Sequence, residues 1–96
     1  MKGFQNIVVD VLGDPQVLAP FNEEHGEAFE EQLREVIQPF KGKPINTQLL
    51  LDVSIALSKA LKKAFPGVPE VAVLGKAVPG DDTMIDIQVF FRQRSE

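Results

Sequence analysis

Hydrophobic residues recur along this chain with two periods, and the switches between them lay out its elements. In FQNIVVDVL (Phe4–Leu12), Ile7, Val9 and Val11 alternate with Val8, Asp10 and Leu12. A period of two, with apolar residues in both sets, predicts a strand partly covered on both faces. The Gly13-Asp14-Pro15 step has turn chemistry, so the strand is expected to end there. A loop should then run to Pro20, with Val17 and Leu18 tucked in. From Asn22 the period changes. Phe29, Leu33, Val36, Ile37 and Phe40 fall at helical spacing and form one apolar stripe. Asn22 is the expected N-cap, with Glu23 and Glu24 in the first turn where the helix dipole favours acids. Pro39 ends or kinks this helix, and KGKP (Lys41–Pro44) is the connection.

A second helix is predicted from Asn46 or Thr47 to the Phe65-Pro66-Gly67 break. Leu49, Leu50, Val53, Ala56, Leu57, Ala60, Leu61 and Ala64 make its apolar side, and Lys59, Lys62 and Lys63 sit in its last turns, where the dipole favours cations. EVAVLG (Glu70–Gly75) and TMIDIQVFFRQ (Thr83–Gln93) read as strands. In the latter, Ile85, Ile87, Val89 and Phe91 share one face, and Met84, Asp86, Gln88, Phe90 and Arg92 share the other. The Pro79-Gly80 pair between them predicts an antiparallel hairpin. The element order β-α-α-β-β specifies a single α+β domain over residues 1–96. Two antiparallel helices pack on one face of a small three-stranded sheet with a C-terminal hairpin. The pairing partner of the first strand stays open.

Composition narrows the setting. With 44% hydrophobic and 25% charged residues, the chain is ordinary for a globular domain. It has no cysteine, so neither a disulfide framework nor a thiolate metal site can form. Gln5, Asn6 and Asp10 interrupt any apolar core of a secretory signal, and no run approaches the roughly 20 apolar residues of a membrane span. A cytoplasmic setting is expected, or a virion if the chain is viral.

Candidate chemistry is sparse. NEEHGEAFEEQLRE (Asn22–Glu35) places the single histidine among six glutamates. On a helical wheel His25 lies about 200° from Glu23, on the side of Phe29 and Val36, whereas Glu27, Glu30, Glu31 and Arg34 lie on the opposite side. Positions i+3 and i+4 from His25 hold Ala28 and Phe29, which cannot complete a metal pair. The glutamates contain one favourable Glu30–Arg34 spacing and the like-charge spacings Glu27–Glu31 and Glu31–Glu35. They read as an acidic ridge, either solvated or facing something basic. GKAVPGDD (Gly75–Asp82) has the glycine spacing of a phosphate-binding loop but lacks the following Lys-Ser/Thr, and its aspartates repel phosphate. Asp81, Asp82 and Asp86 do not follow a calcium-loop spacing. Ser54 and Ser58 have no activating base in a recognisable pattern. No catalytic residue, metal ligand or cofactor is therefore assigned. Lys41, Lys43, Lys59, Lys62 and Lys63 could form a basic patch. A net charge of −4 and the absence of any aromatic or GxxG nucleic-acid motif argue against nucleic acid as the partner.

Two features point to protein partners, with a homo-oligomer or a larger assembly expected. Residues 1–40 hold eight acids against two bases (−6), and residues 41–96 hold six acids against eight bases (+2), which suits contact between complementary patches. On the second helix, Leu51 and Ile55 form an i, i+4 apolar pair on the side away from the core stripe. Either the first helix or another chain should cover them. Val8, Leu12, Met84 and Phe90 on the second face of the sheet also call for cover. The interface residues expected from this reading are Leu51, Ile55, Glu27, Glu30, Glu31, Lys59, Lys62, Lys63 and Phe90.

The order of a helix, PGVPEV (Pro66–Val71) and a hairpin ending IDIQVFF (Ile85–Phe91) resembles small phage tail and baseplate assembly proteins over the second half of the chain. The resemblance implies a structural subunit. It rests on element order, so it carries no functional residue across. The expectation is a non-enzymatic assembly or interaction domain. One alternative is a small acidic regulator or adaptor that binds a basic partner. Another is an enzyme whose site forms between subunits around His25, Asp10 or Asp86.

Overall fold

A computed structural model describes residues 3–65 and 70–92. Strand β1 spans Asn6–Gly13, helix α1 Pro15–Ile37, helix α2 Thr47–Ala64, strand β2 Glu70–Val78 and strand β3 Asp81–Arg92, with a 3-10 turn at Gln38–Phe40 after α1. The fold is α+β, with both helices packed on a three-stranded sheet that ends in a hairpin. The sheet order is β1-β3-β2. β1 runs parallel to β3, and β2 runs antiparallel to it. This resolves the pairing of the first strand. β3 is the longest strand and its inward face is wholly buried, and the centre is the one place in a three-stranded sheet where both edges are paired.

Alternation along each strand separates two faces. Ile85, Ile87, Val89 and Phe91 of β3 are buried under the helices. Their register neighbours are Ile7, Val9 and Val11 on β1 and Val71, Val73, Gly75 and Ala77 on β2. Leu49, Val53, Leu57 and Leu61 of α2 and Phe21, Phe29, Leu33 and Ile37 of α1 complete the core. Each row is spaced by four or, from Phe21 to Phe29, by eight, which keeps it on one side of its helix. Helix α2 lies chiefly on β2, while α1 leans on α2 and touches β1 and β3 more lightly.

The N-cap of the first helix stands eight residues before the expected Asn22. Asp14 is its N-cap: Oδ1 accepts from the Gln16 amide at 2.9 Å, and Pro15 occupies the first turn, where its missing N–H is harmless. From Pro15 to Pro20 the expected loop is therefore helix, and Pro20 lies inside it. Asn22, Glu23 and Glu24 are interior helix positions, and no acid stands in the first turn. Burial of Phe21 explains the override. Its ring lies 4.7 Å from Phe91, 5.3 Å from Phe65 and 5.5 Å from Phe29, so extending the helix backwards seats an aromatic in the core. The second helix starts as expected, with Asn46 Oδ1 accepting from the Leu49 amide at 2.8 Å.

Other boundaries shift as well. Phe4 precedes β1 and is fully buried. Its backbone pairs with the connection between the helices, Phe4 N–H donating to Lys43 O at 2.8 Å and Gly42 N–H to Phe4 O at 2.7 Å. β2 continues through Gly75 to Val78, and β3 starts at Asp81 rather than Thr83. The hairpin turns at Val78-Pro79-Gly80-Asp81 with Gly80 at φ +81°, the Pro-Gly signature of a type II turn. Gly75 faces the core beneath α2. A Cβ there would stand 2.8 Å from Ser54 Oγ, so the glycine lets α2 approach the sheet. The expected break at Pro66-Gly67, the last strand residue Gln93 and the packing of the Val17 and Arg92 side chains fall outside the described residues or side chains.

Candidate functional site

The residues singled out in the sequence divide among three places. On α1, His25 stands in the row Phe21, His25, Phe29, Leu33, Ile37, with its side chain 40% exposed at the edge of the core. Its ring packs 5.3 Å from both Phe21 and Phe65. Nε2 comes no nearer than 3.6 Å to Glu24 Oε2, the residue beside it in the chain. The imidazole caps the aromatic cluster at the rim of the core. Glu27, Glu30 and Glu31 are exposed, and Glu30 Oε2 accepts from Arg34 Nη2 at 3.4 Å. That exposed pair contributes roughly 0.3–0.5 kcal/mol.

On α2, neither α1 nor the sheet covers Leu51 and Ile55, which remain 53% and 52% exposed. Lys59 and Lys62 continue the same outward side and Lys63 flanks it, all three exposed. The third place is the sheet face away from the helices. Val8 (44%), Leu12 (42%) and Leu74 (46%) are exposed there, with Met84 and Phe90 half-buried. Asp10 and Asp86 lie on this face with Lys76, because Val8 pairs with Asp86, Asp86 with Lys76, and Asp10 with Gln88. One carboxylate oxygen of Asp86 is buried without a hydrogen-bond partner.

The expected interface residues are therefore not one patch. Leu51, Ile55, Lys59, Lys62 and Lys63 come together, Glu27, Glu30 and Glu31 form a second group, and Phe90 belongs to the open sheet face. His25 is in the helix layer while Asp10 and Asp86 are beyond the sheet, so these three do not converge. Lys76 lies beyond the strand end expected at Gly75, and Leu74 lies within the expected strand, for which no face was assigned. The alternation of Leu74 with the core-facing Val73 and Gly75 was the signal that could have found them.

Asp81 stands at the start of β3, next to the hairpin turn. The Thr83 hydroxyl donates to its Oδ1 at 2.6 Å and the Thr83 amide at 2.9 Å, and these bonds hold its carboxyl below the ordinary 3.8. The acid pins the hairpin turn, a structural use of the aspartate that also appeared in a calcium reading. Ser54 Oγ donates to Leu50 O at 2.7 Å within α2. Among the described residues, no group of three or more His, Asp or Glu side chains is placed to hold a metal ion, and no helix is long and apolar enough to cross a membrane.

A groove of about 640 Å³ runs between α1 and β1. Ile7, Val9, Val11, Phe29, Leu33 and Ile37 contribute its apolar surface, with Glu27, Glu30 and Arg34 along its lip. No protein family, curated protein or solved structure matches this chain.

Proposed function

We propose that this chain is a non-enzymatic assembly domain, cytoplasmic or part of a virion, that joins copies of itself head to tail. The outward side of α2 docks on the open sheet face of the next copy. The observation that carries this reading is the pair of apolar patches on the two outer surfaces of a two-layer domain, Leu51 with Ile55 on one and Val8, Leu12 and Leu74 on the other. Stacking helix on sheet repeats between copies the layer contact that α2 already makes with β2 within one copy. Charge agrees: Lys59, Lys62 and Lys63 flank the helix patch with Asp52, whereas the sheet patch holds Asp10 and Asp86 with Lys76.

A contact between unlike surfaces does not close on itself at two copies, so it propagates to a ring or a filament. Each contact must offset the translational and rotational freedom lost on association, so a single contact is weak and assembly depends on concentration. Sedimentation of the purified chain from about 10 μM to about 1 mM tests this. The average mass should rise without a plateau at two copies, and Leu51→Glu should suppress the rise. A monomer throughout, or a dimer indifferent to Leu51→Glu, would overturn the reading.

A further inference from the structure

The helix layer is wider than the sheet beneath it. Two packed helices lie about 8–10 Å apart and are each about 10 Å across, whereas the axes of three strands span only about 10 Å. Because α2 sits on β2, the excess width falls on α1, which overhangs the β1 edge and leaves the 640 Å³ groove. Ile7, Val9 and Val11 point into the helix layer yet remain half-buried, while Phe29, Leu33 and Ile37 across from them are buried. β1 is an edge strand, paired to β3 on one side and to no strand among the described residues on the other. Strand edges are usually blunted by proline, lysine or shortness. β1 runs for eight residues, NIVVDVLG, with no proline and no lysine, and its one charge is Asp10. Only its start is guarded, where the Ile7 amide donates to Asn6 Oδ1 at 2.9 Å.

We propose that this groove and edge accept an extended segment of a partner protein as a fourth strand beside β1. Its backbone would pair with the free edge. Apolar side chains would fill the groove, and Lys or Arg at flanking positions would reach Glu27 and Glu30. Charge decides between this occupant and a second copy. Pairing β1 with the β1 of another copy sets one α1 beside the other, with Glu23, Glu27, Glu30 and Glu31 of each in a shared field and one Arg34 per copy to offset them. A basic segment meets the same ridge with opposite charge. This contact uses neither the Leu51 side of α2 nor the open sheet face, so it stands or falls separately from head-to-tail assembly.

The probe is a labelled peptide, Lys-Thr-Val-Thr-Val-Thr-Lys, titrated into the Leu51→Glu chain to remove self-association, with anisotropy and backbone amide shifts as readouts. Saturable binding is expected, with the largest shifts in β1 and the facing side of α1. The paired substitution Glu27→Lys and Glu30→Lys should weaken it by about tenfold or more, as should exchanging the peptide's lysines for glutamates. Methylating alternate peptide amides should abolish it, since that removes the strand pairing. Equal binding of the lysine and glutamate peptides, or shifts that spare β1, would overturn the proposal. So would a β1-to-β1 dimer in the absence of peptide.

Discussion

Replacing Asp14 with alanine and, separately, Asn22 with alanine distinguishes two places where the first helix could begin. Both residue types are good caps, but the structure gives the role to Asp14, whose Oδ1 holds the Gln16 amide at 2.9 Å. Losing it leaves a first-turn N–H unpaired and should cost about 1 kcal/mol. In a domain of this size that lowers Tm by about 4–8 °C. Asn22 is exposed in the interior of α1, where alanine is the better helix former. Asn22→Ala should therefore stabilise by about 0.5 kcal/mol. The two substitutions thus have opposite signs. Urea unfolding followed by circular dichroism reads both, and the midpoint should move at constant slope. A destabilised Asn22→Ala beside an unaffected Asp14→Ala would place the helix start at Asn22 and refute the seating of Phe21 in the core.

Two further outcomes concern the sheet. Gly75→Val should destabilise by about 2 kcal/mol or more in the same urea assay, because its side chain enters space held by Ser54 Oγ and the Leu50 carbonyl. For Asp81, the folded value is depressed, so its contribution is present above the ordinary 3.8 and is lost as pH falls through the lower folded value. Thr83→Val should return the Asp81 carboxyl toward 3.8 in an NMR titration and shrink the part of the acid-induced loss of stability that Asp81 supplies. An unmoved Asp81 titration would exclude the Thr83 hydroxyl as the cause.

The parts of the fold read most directly from sequence are those where one signal dominates. The stripe of α2 is long, has an asparagine cap and contains no proline, so its start and its core side both emerge from periodicity. β3 shows the same clarity, with Ile85, Ile87, Val89 and Phe91 buried in strict alternation. The reading fails where local and tertiary signals conflict. Pro20 and the GDP turn argue locally for a loop, but the burial of Phe21 outweighs a helix-interior proline. Gly75 argues locally for a strand end, yet its lack of a side chain is what admits α2. The hairpin pairing of β2 with β3 was legible in Pro79-Gly80, but the partner of β1 was not, because β1 meets β3 across two helices and a strand and nothing local encodes that contact. The wheel alone put Leu51 and Ile55 off the core stripe, and the position of α1 decided that they stay uncovered. The groove did not, because it arises from the relative widths of two layers rather than from any run of residues.

Head-to-tail assembly is tested most directly by complementation between two broken copies. Leu51→Glu spoils the helix patch and leaves the open sheet face intact, whereas Leu74→Glu does the reverse. Each variant alone should stay monomeric in sedimentation equilibrium up to about 1 mM, and an equimolar mixture should form a one-to-one pair that grows no further. A variant that dimerises by itself would reveal a two-fold contact between like surfaces. A mixture that stays monomeric under conditions where the parent chain assembles would contradict helix-on-sheet stacking altogether.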